Sequence, residues 1–249
     1  ARAAAGAPRA SCSWATGSRG SGGRYPSRMT ADEILQAAER RIAEIEADIL
    51  VLTETTPDLV PAEGFVAKGG PDWGYSDSPG RRKVLLWSRW PVTDVSNEIS
   101  EPGGRHVSAT VLSPIGPVRV HAVCVPWSMA HVSGGHENRK PWEDHINFLN
   151  ALEGVLGQEA KDPANHELPL ILAGDINQRE QPRPYGNVKA RKLWAKVLGD
   201  AGLKVVTDQA MIDKIATGPG LLASDPALFP PEKMSDHHAV SCIARMAAE

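Results

Sequence analysis

Two polar residues follow an apolar run in Pro169-Leu170-Ile171-Leu172-Ala173-Gly174-Asp175-Ile176-Asn177. Leu170 to Ala173 is too short for a helix and has the pattern of a strand buried on both faces. Gly174 permits a tight exit. Asp175 and Asn177 are separated by one residue, so at a strand end they share one face. A carboxylate and an amide delivered together suit oxygen chemistry: holding a water, a phosphate or a hard cation. Alone, the same pattern also describes a strand that runs into an Asp/Asn turn.

Three more stretches carry related chemistry. Asp48-Ile49-Leu50-Val51-Leu52-Thr53-Glu54 is an apolar strand ending in a carboxylate. Met211-Ile212-Asp213-Lys214-Ile215 is a short apolar segment around an Asp. Ser235-Asp236-His237-His238-Ala239-Val240 is an acid–His pair that runs into an apolar strand. Carboxylates and an amide, without clustered Cys and His, favour a hard ion over structural zinc.

In this order and at these separations the four stretches resemble the endonuclease/exonuclease/phosphatase superfamily of metal-dependent phosphoesterases. Its patterns are an acid-ended strand, then GDxN, then IDxI, then SDH. The resemblance covers roughly residues 31 to 249. It implies a DNase I-like α/β fold: a four-layer α/β/β/α sandwich, two mixed sheets face to face with helices outside. It also implies divalent-metal-dependent hydrolysis of a phosphodiester or phosphomonoester, as in a nuclease. A lipid headgroup, a sugar phosphate or a nucleotide is the alternative substrate. By the same resemblance Glu54 holds Mg²⁺ or Mn²⁺, and Asp236 joins the metal or its waters. Asp175 orients or deprotonates the attacking water, and Asn177 binds a phosphate oxygen. His237 acts opposite, as general base or phosphate contact; which of Asp175 and His237 takes the proton is open. Asp213 orients His237, an acid–imidazole pairing that fixes the tautomer.

Two positions depart from the pattern. Trp14-Ala15 stands where the family has Trp-Asn, and alanine offers no side-chain donor or acceptor. Cys124 stands where the strand Val118 to Val125 normally carries His or Tyr. A neutral thiol is a poor phosphate donor. His121 is three residues upstream and faces the other side, so it does not substitute. These departures support a rival reading, a family member impaired in catalysis that binds a phosphorylated ligand. Against it, Glu54, Asp175, Asn177, Asp213, Asp236 and His237 are all present.

The elements that must position these groups can be read in order. Residues 1–28 form a flexible or remnant N-terminal segment with a first strand at 11–16, and Ala1 to Ala10 lacks the apolar core of a signal peptide. The family domain is expected over 29–249. Thr30 to Ala47 reads as an amphipathic helix opened by a Thr30/Glu33 capping box. Its charged residues Glu39, Arg40, Arg41, Glu44 and Glu46 read as a solvated face. Lys83 to Arg89 and the pair Val107–Leu112 and Val118–Val125 read as strands. Pro141 to Glu159 and Lys189 to Ala201 read as helices, and Gly218 to Lys233, with four prolines, as a long loop.

Loops supply the candidate substrate contacts. Arg81 lies in a loop with Trp73 and Tyr75, a mix able to grip phosphate or stack on a base, although such aromatics commonly pack a loop down. Arg179 follows Asn177 closely. His131, with His136, could reach in from the loop Met129 to Arg139; the ordinary role of each is a surface histidine.

The bulk numbers set limits. There are 27 Lys and Arg against 30 Asp and Glu, so no global basic field draws nucleic acid. The phosphorylated substrate that the resemblance implies, nucleic acid or small molecule, is then met through a local patch or a bound cation, and a monomer is expected. Three cysteines lack metal-type spacing, and their odd number opposes a full disulfide framework, which points to the cytoplasm. No apolar run approaches the roughly 18 residues of a membrane span.

Overall fold

A computed structural model describes residues 9–15, 30–75, 80–162, 167–180, 184–207, 211–232 and 235–247. Twelve strands are present among them: β1 (Arg9–Ala15), β2 (Ile49–Thr55), β3 (Phe65–Lys68), β4 (Arg82–Ser88), β5 (Val92–Ser96), β6 (His106–Ser113), β7 (Gly116–Cys124), β8 (Leu170–Asp175), β9 (Lys204–Val205), β10 (Asp213–Thr217), β11 (Leu221–Phe229) and β12 (Ala239–Met246). The α-helices are α1 (Ala31–Ile45), α2 (Glu143–Glu159) and α3 (Val188–Asp200), with one 3-10 turn at Pro57–Leu59. Apart from β1, the segment 1–28 lies outside the described residues.

The strands form two six-stranded sheets, ordered β11-β12-β1-β2-β4-β3 and β5-β6-β7-β8-β10-β9. α1 connects the parallel pair β1 and β2, and α2 connects the parallel pair β7 and β8. Apolar residues of both sheets meet in one buried layer that includes Val51, Leu86, Ala109, Val120, Ile171, Ile215 and Val240. α2 and α3 cover the outer face of the second sheet through Phe148, Leu149, Leu152, Trp194 and Val197. α1 covers the first through Ala38, Ile42 and Ile45. The layers are thus α/β/β/α, the DNase I-like arrangement.

Local sequence accounts for most of these elements. The Thr30/Glu33 capping box forms at the start of α1: the Glu33 N–H donates to Thr30 Oγ1 and the Thr30 N–H to Glu33. Asn187 caps α3 by accepting from the Ala190 N–H.

Three expectations need correction. The segment 218–233 is not one long loop, because β11 runs through it. β11 is an edge strand paired with β12 alone, and Pro226 falls in the irregularity between Ser224 and Ala227, where a missing N–H costs no ladder bond. Arg41 is not solvated: it is 4 % exposed, pairs with Glu232 and lies over the Phe229 ring. The end of β11 and the residues after it cover that side of α1. α2 begins at Glu143, after a left-handed Trp142, rather than at Pro141.

Candidate active site

Three adjacent strand ends line up in the second sheet. The parallel register sets Cys124 of β7 beside Asp175 of β8, and the antiparallel register sets Asp213 of β10 on its other side. The β2 end, with Glu54, belongs to the facing sheet, as does His237, just before β12.

Asp175 is held by the residue two positions on. Its Oδ1 accepts from the Asn177 N–H at 2.7 Å, and its Oδ2 accepts from Asn177 Nδ2 at 2.8 Å. The same Nδ2 donates to the Val125 carbonyl at 2.9 Å. This geometry needs Asn177 at φ 50°, a left-handed conformation that Asn tolerates well. The Asn177 amide thereby locks the carboxylate.

Asp213 and Asp175 are both buried and lie directly opposite across the strand pair. Ligand atoms of Asp175, Asp213 and His237 lie within 4.8 Å of one another. His237 Nδ1 is 3.1 Å from Asp213 Oδ2, an ion-pair contact. His237 Nε2 is 3.8 Å from Asp236 Oδ1, and the Asp236 side chain is 62 % exposed. Burial pushes the Asp175 carboxyl up, to about 7; Asp213 and Glu54 add to the rise, while His237 and the Asn177 N–H oppose it. Burial disfavours a charged His237, but the carboxylates of Asp213, Asp175 and Asp236 outweigh it and hold the imidazole up, at about 10.

Glu54 is surrounded by cations. Thr53 pairs with Val84 and Thr55 with Arg82, which puts Lys83 directly across from Glu54. Lys83 Nζ donates to Glu54 Oε1 at 2.6 Å, and Arg81 donates to Oε2 at 3.2 Å. Burial would raise the Glu54 pKa, but Lys83, Arg81 and Arg105 together lower it. Glu54 itself has φ 51°, which turns the end of β2.

Cys124 is buried, and its thiol is pushed up to about 12, first by burial and then by Asp175. It is a neutral wall beside Asp175, neither nucleophile nor ion. His121 faces α2, where its Nε2 lies 2.7 Å from Glu159. Ala15 ends β1, with Thr53 as its Cα partner, one residue before Glu54.

The loop candidates are placed differently from one another. Arg81 reaches Glu54. Arg179 is exposed, and its backbone exchanges two hydrogen bonds with Tyr185. His131 is not a surface histidine: it is 5 % exposed, with Nδ1 at 2.6 Å from Asp144 and Nε2 at 3.0 Å from the Trp73 carbonyl. It stacks on Tyr75, so both ring nitrogens and one face serve loop packing. A cleft of about 310 Å³ lined by Trp73, His131, His136 and Arg139 opens beside that loop.

Lys83 and Arg105 escaped the sequence reading. Lys83 reads as the start of an apolar strand, and only the β2–β4 register reveals its partner. Arg105 is 2 % exposed, with its Nε unpartnered and one guanidinium nitrogen 3.5 Å from the Cys124 carbonyl. No local pattern marks it.

Asp175, Asp213 and His237 bring two carboxylates and an imidazole nitrogen within 4.8 Å, a donor set able to hold a divalent ion, whereas Glu54 is paired with the Lys83 ammonium at 2.6 Å.

Comparison with known proteins agrees with this architecture. Similar solved structures include an AP endonuclease from Archaeoglobus fulgidus, with 16% identity and a TM-score of 0.65 over 95% of this chain and 98% of that one. The human Nocturnin catalytic domain with bound sulfate anion has 15% identity and a TM-score of 0.65, over 97% and 95%. An endonuclease/exonuclease/phosphatase from Beutenbergia cavernae DSM 12333 has 17% identity and a TM-score of 0.64, over 97% and 72%. Likeness at these identities shows the fold alone. A search of curated proteins gives no match. The model of the Endonuclease/Exonuclease/phosphatase family matches residues 27–237, and the chain belongs to that family of phosphoester hydrolases.

Proposed function

We propose that this protein is a divalent-metal-dependent phosphoesterase, with Mg²⁺ or Mn²⁺ held by Glu54 and Asp236. The observation that carries the reading is the convergence of Asp175, Asp213 and His237 within 4.8 Å at adjoining strand ends. A bound divalent ion would supply positive charge for the phosphate oxygens. Asp175, fixed by Asn177, orients the attacking water and accepts its proton. His237, with Asp213 against Nδ1, offers its other ring nitrogen to a phosphate oxygen. Asn177 can reach phosphate only by giving up a bond to Asp175 or to Val125. Arg81 and Arg179 are the proposed contacts for the remainder of the substrate; His131 supports the loop instead.

With a net charge of −3, attraction for a phosphorylated substrate comes from a local patch or a bound cation rather than a global field. AP endonuclease is the name of one similar structure, and an abasic duplex is accordingly one substrate to test. The test is an activity panel with Mg²⁺ and Mn²⁺ on plasmid DNA, abasic duplex, bis-p-nitrophenyl phosphate, nucleotides, inositol phosphates and sphingomyelin. EDTA should abolish hydrolysis and either ion should restore it; full activity in EDTA ends this reading. The rival, a phospho-ligand binder without turnover, draws on the capped Glu54 and the inert Cys124, and it predicts binding with no hydrolysis across the panel.

A further inference from the structure

We infer that Lys83 is a built-in competitor for a divalent ion: its ammonium is paired with Glu54, and the ion reaches that carboxylate by displacing it. The inference rests on the reading of Glu54 as a metal ligand.

The register makes the contact intrinsic to the fold. The flanking pairs Thr53–Val84 and Thr55–Arg82 bring Lys83 level with Glu54, and its Nζ reaches Glu54 Oε1 at 2.6 Å. Both are mostly buried, with side chains 17% and 12% exposed. Neither side chain is therefore a rim group sampling solvent. Arg81 caps the second Glu54 oxygen, so both oxygens carry a cation. A metal needs at least one of them.

Of the two caps, Lys83 is the one suited to leave. An ammonium is a compact charge on a flexible four-carbon stem, whereas a guanidinium is a planar fork. Lys83 also has somewhere to go. Its Nζ already lies 5.9 Å from the centroid of the buried Trp73 ring, within the range of a cation–π contact. A shift toward that face would free Glu54 Oε1 and keep the ammonium paired with a π system. Arg105 adds positive charge acting on Glu54, which further opposes an incoming divalent ion. Metal affinity at Glu54 is therefore the difference between holding the ion and releasing Lys83.

Calorimetric titration of the full chain with Mn²⁺ tests this, using wild type, Lys83→Met, Glu54→Gln and the double variant. Lys83→Met should bind Mn²⁺ at least about tenfold more tightly than wild type, or about 1.4 kcal/mol. The gain should vanish when Glu54→Gln is added. Unchanged or weaker binding by Lys83→Met overturns the inference. So does a gain that survives in the double variant, since the effect would then be general charge removal. If Lys83→Met fails to fold, Lys83→Gln keeps a polar partner for Glu54 and carries the same expectations. In wild type, saturating Mn²⁺ should also raise the rate of reductive methylation at Lys83, read by peptide mass spectrometry; an unchanged rate overturns the displacement. The two readings fail separately: Mn²⁺ affinity unaffected by Glu54→Gln alone removes Glu54 as a ligand, whereas affinity lowered by Glu54→Gln but unmoved by Lys83→Met removes only the competition.

Discussion

Asp213→Asn is the sharpest perturbation of this site, because it removes one charge and almost no volume. His237 Nδ1 lies 3.1 Å from the Asp213 carboxylate. At an effective dielectric of about 20, two unit charges at that separation attract by about 5 kcal/mol, an upper bound for the pair. Asp213 is the first of the carboxylates that hold His237 up against its own burial. Losing it should lower the His237 pKa by about 2, the middle of the range for removing an adjacent opposite charge. The Asp175 carboxyl should move down as well, because Asp213 helps to raise it. Both limbs of the pH–rate profile should therefore shift toward acid, and turnover should fall by about 10²-fold. The assay is a pH–kcat/KM profile beside an NMR titration of the His237 ring. The double variant Asp213→Asn with His237→Ala should be little worse than His237→Ala alone, since groups acting as a unit are not additive. Losses that multiply, or an unmoved His237 titration, would refute the pairing.

Other outcomes follow from single positions. Ala15→Asn, one residue before Glu54 by strand register, should tighten Mn²⁺ binding and raise turnover; an unchanged or lower rate means that the site is built around alanine. Gly174→Ala should destabilise the fold by about 3 kcal/mol or more, because Gly174 has φ 143° and a Cβ there would lie 1.8 Å from the Val123 carbonyl oxygen; an unchanged urea midpoint would contradict this. Acid should unfold the protein through the network behind β7. Burial pushes His106 down to about 3, so the unfolded chain binds its proton first and stability falls as pH drops from about 6.5 toward 3. Glu159 is brought down to about 2 by His121 and Arg119 against its burial, so its contribution is present above about 4.5 and lost below it. His106→Gln should flatten the first part of that pH dependence and Glu159→Gln the second; identical slopes in urea titrations of wild type and variants would sink the assignment.

Patterns within a few residues determined much of this protein. The apolar run Leu170–Ala173 with Gly174 dictates a strand that ends at Asp175, and the capping box dictates where α1 begins. Parity along β7 puts Cys124 and His121 on opposite faces, because side chains alternate with a period of two. The order of GDxN, the Asp213 segment and SDH is enough to point to the family. These signals are local, and local geometry is enough to write them.

Tertiary structure decided which groups meet. Asp213 faces Asp175, and Lys83 faces Glu54, only because of strand registers that residues far apart in sequence set by packing a common core. Burial of His131 and Arg41 depends on Asp144 and Glu232, partners supplied by other elements, so both read as ordinary polar residues in sequence. β11 passed for a loop because Pro226 within it and three prolines around it break a strand pattern, and only its edge position makes Pro226 tolerable. A single chain segment carries its own alternation but not its neighbour's register, which is why Glu54 and Asp175 could be named from sequence while the Lys83 and Arg105 that act on Glu54 could not.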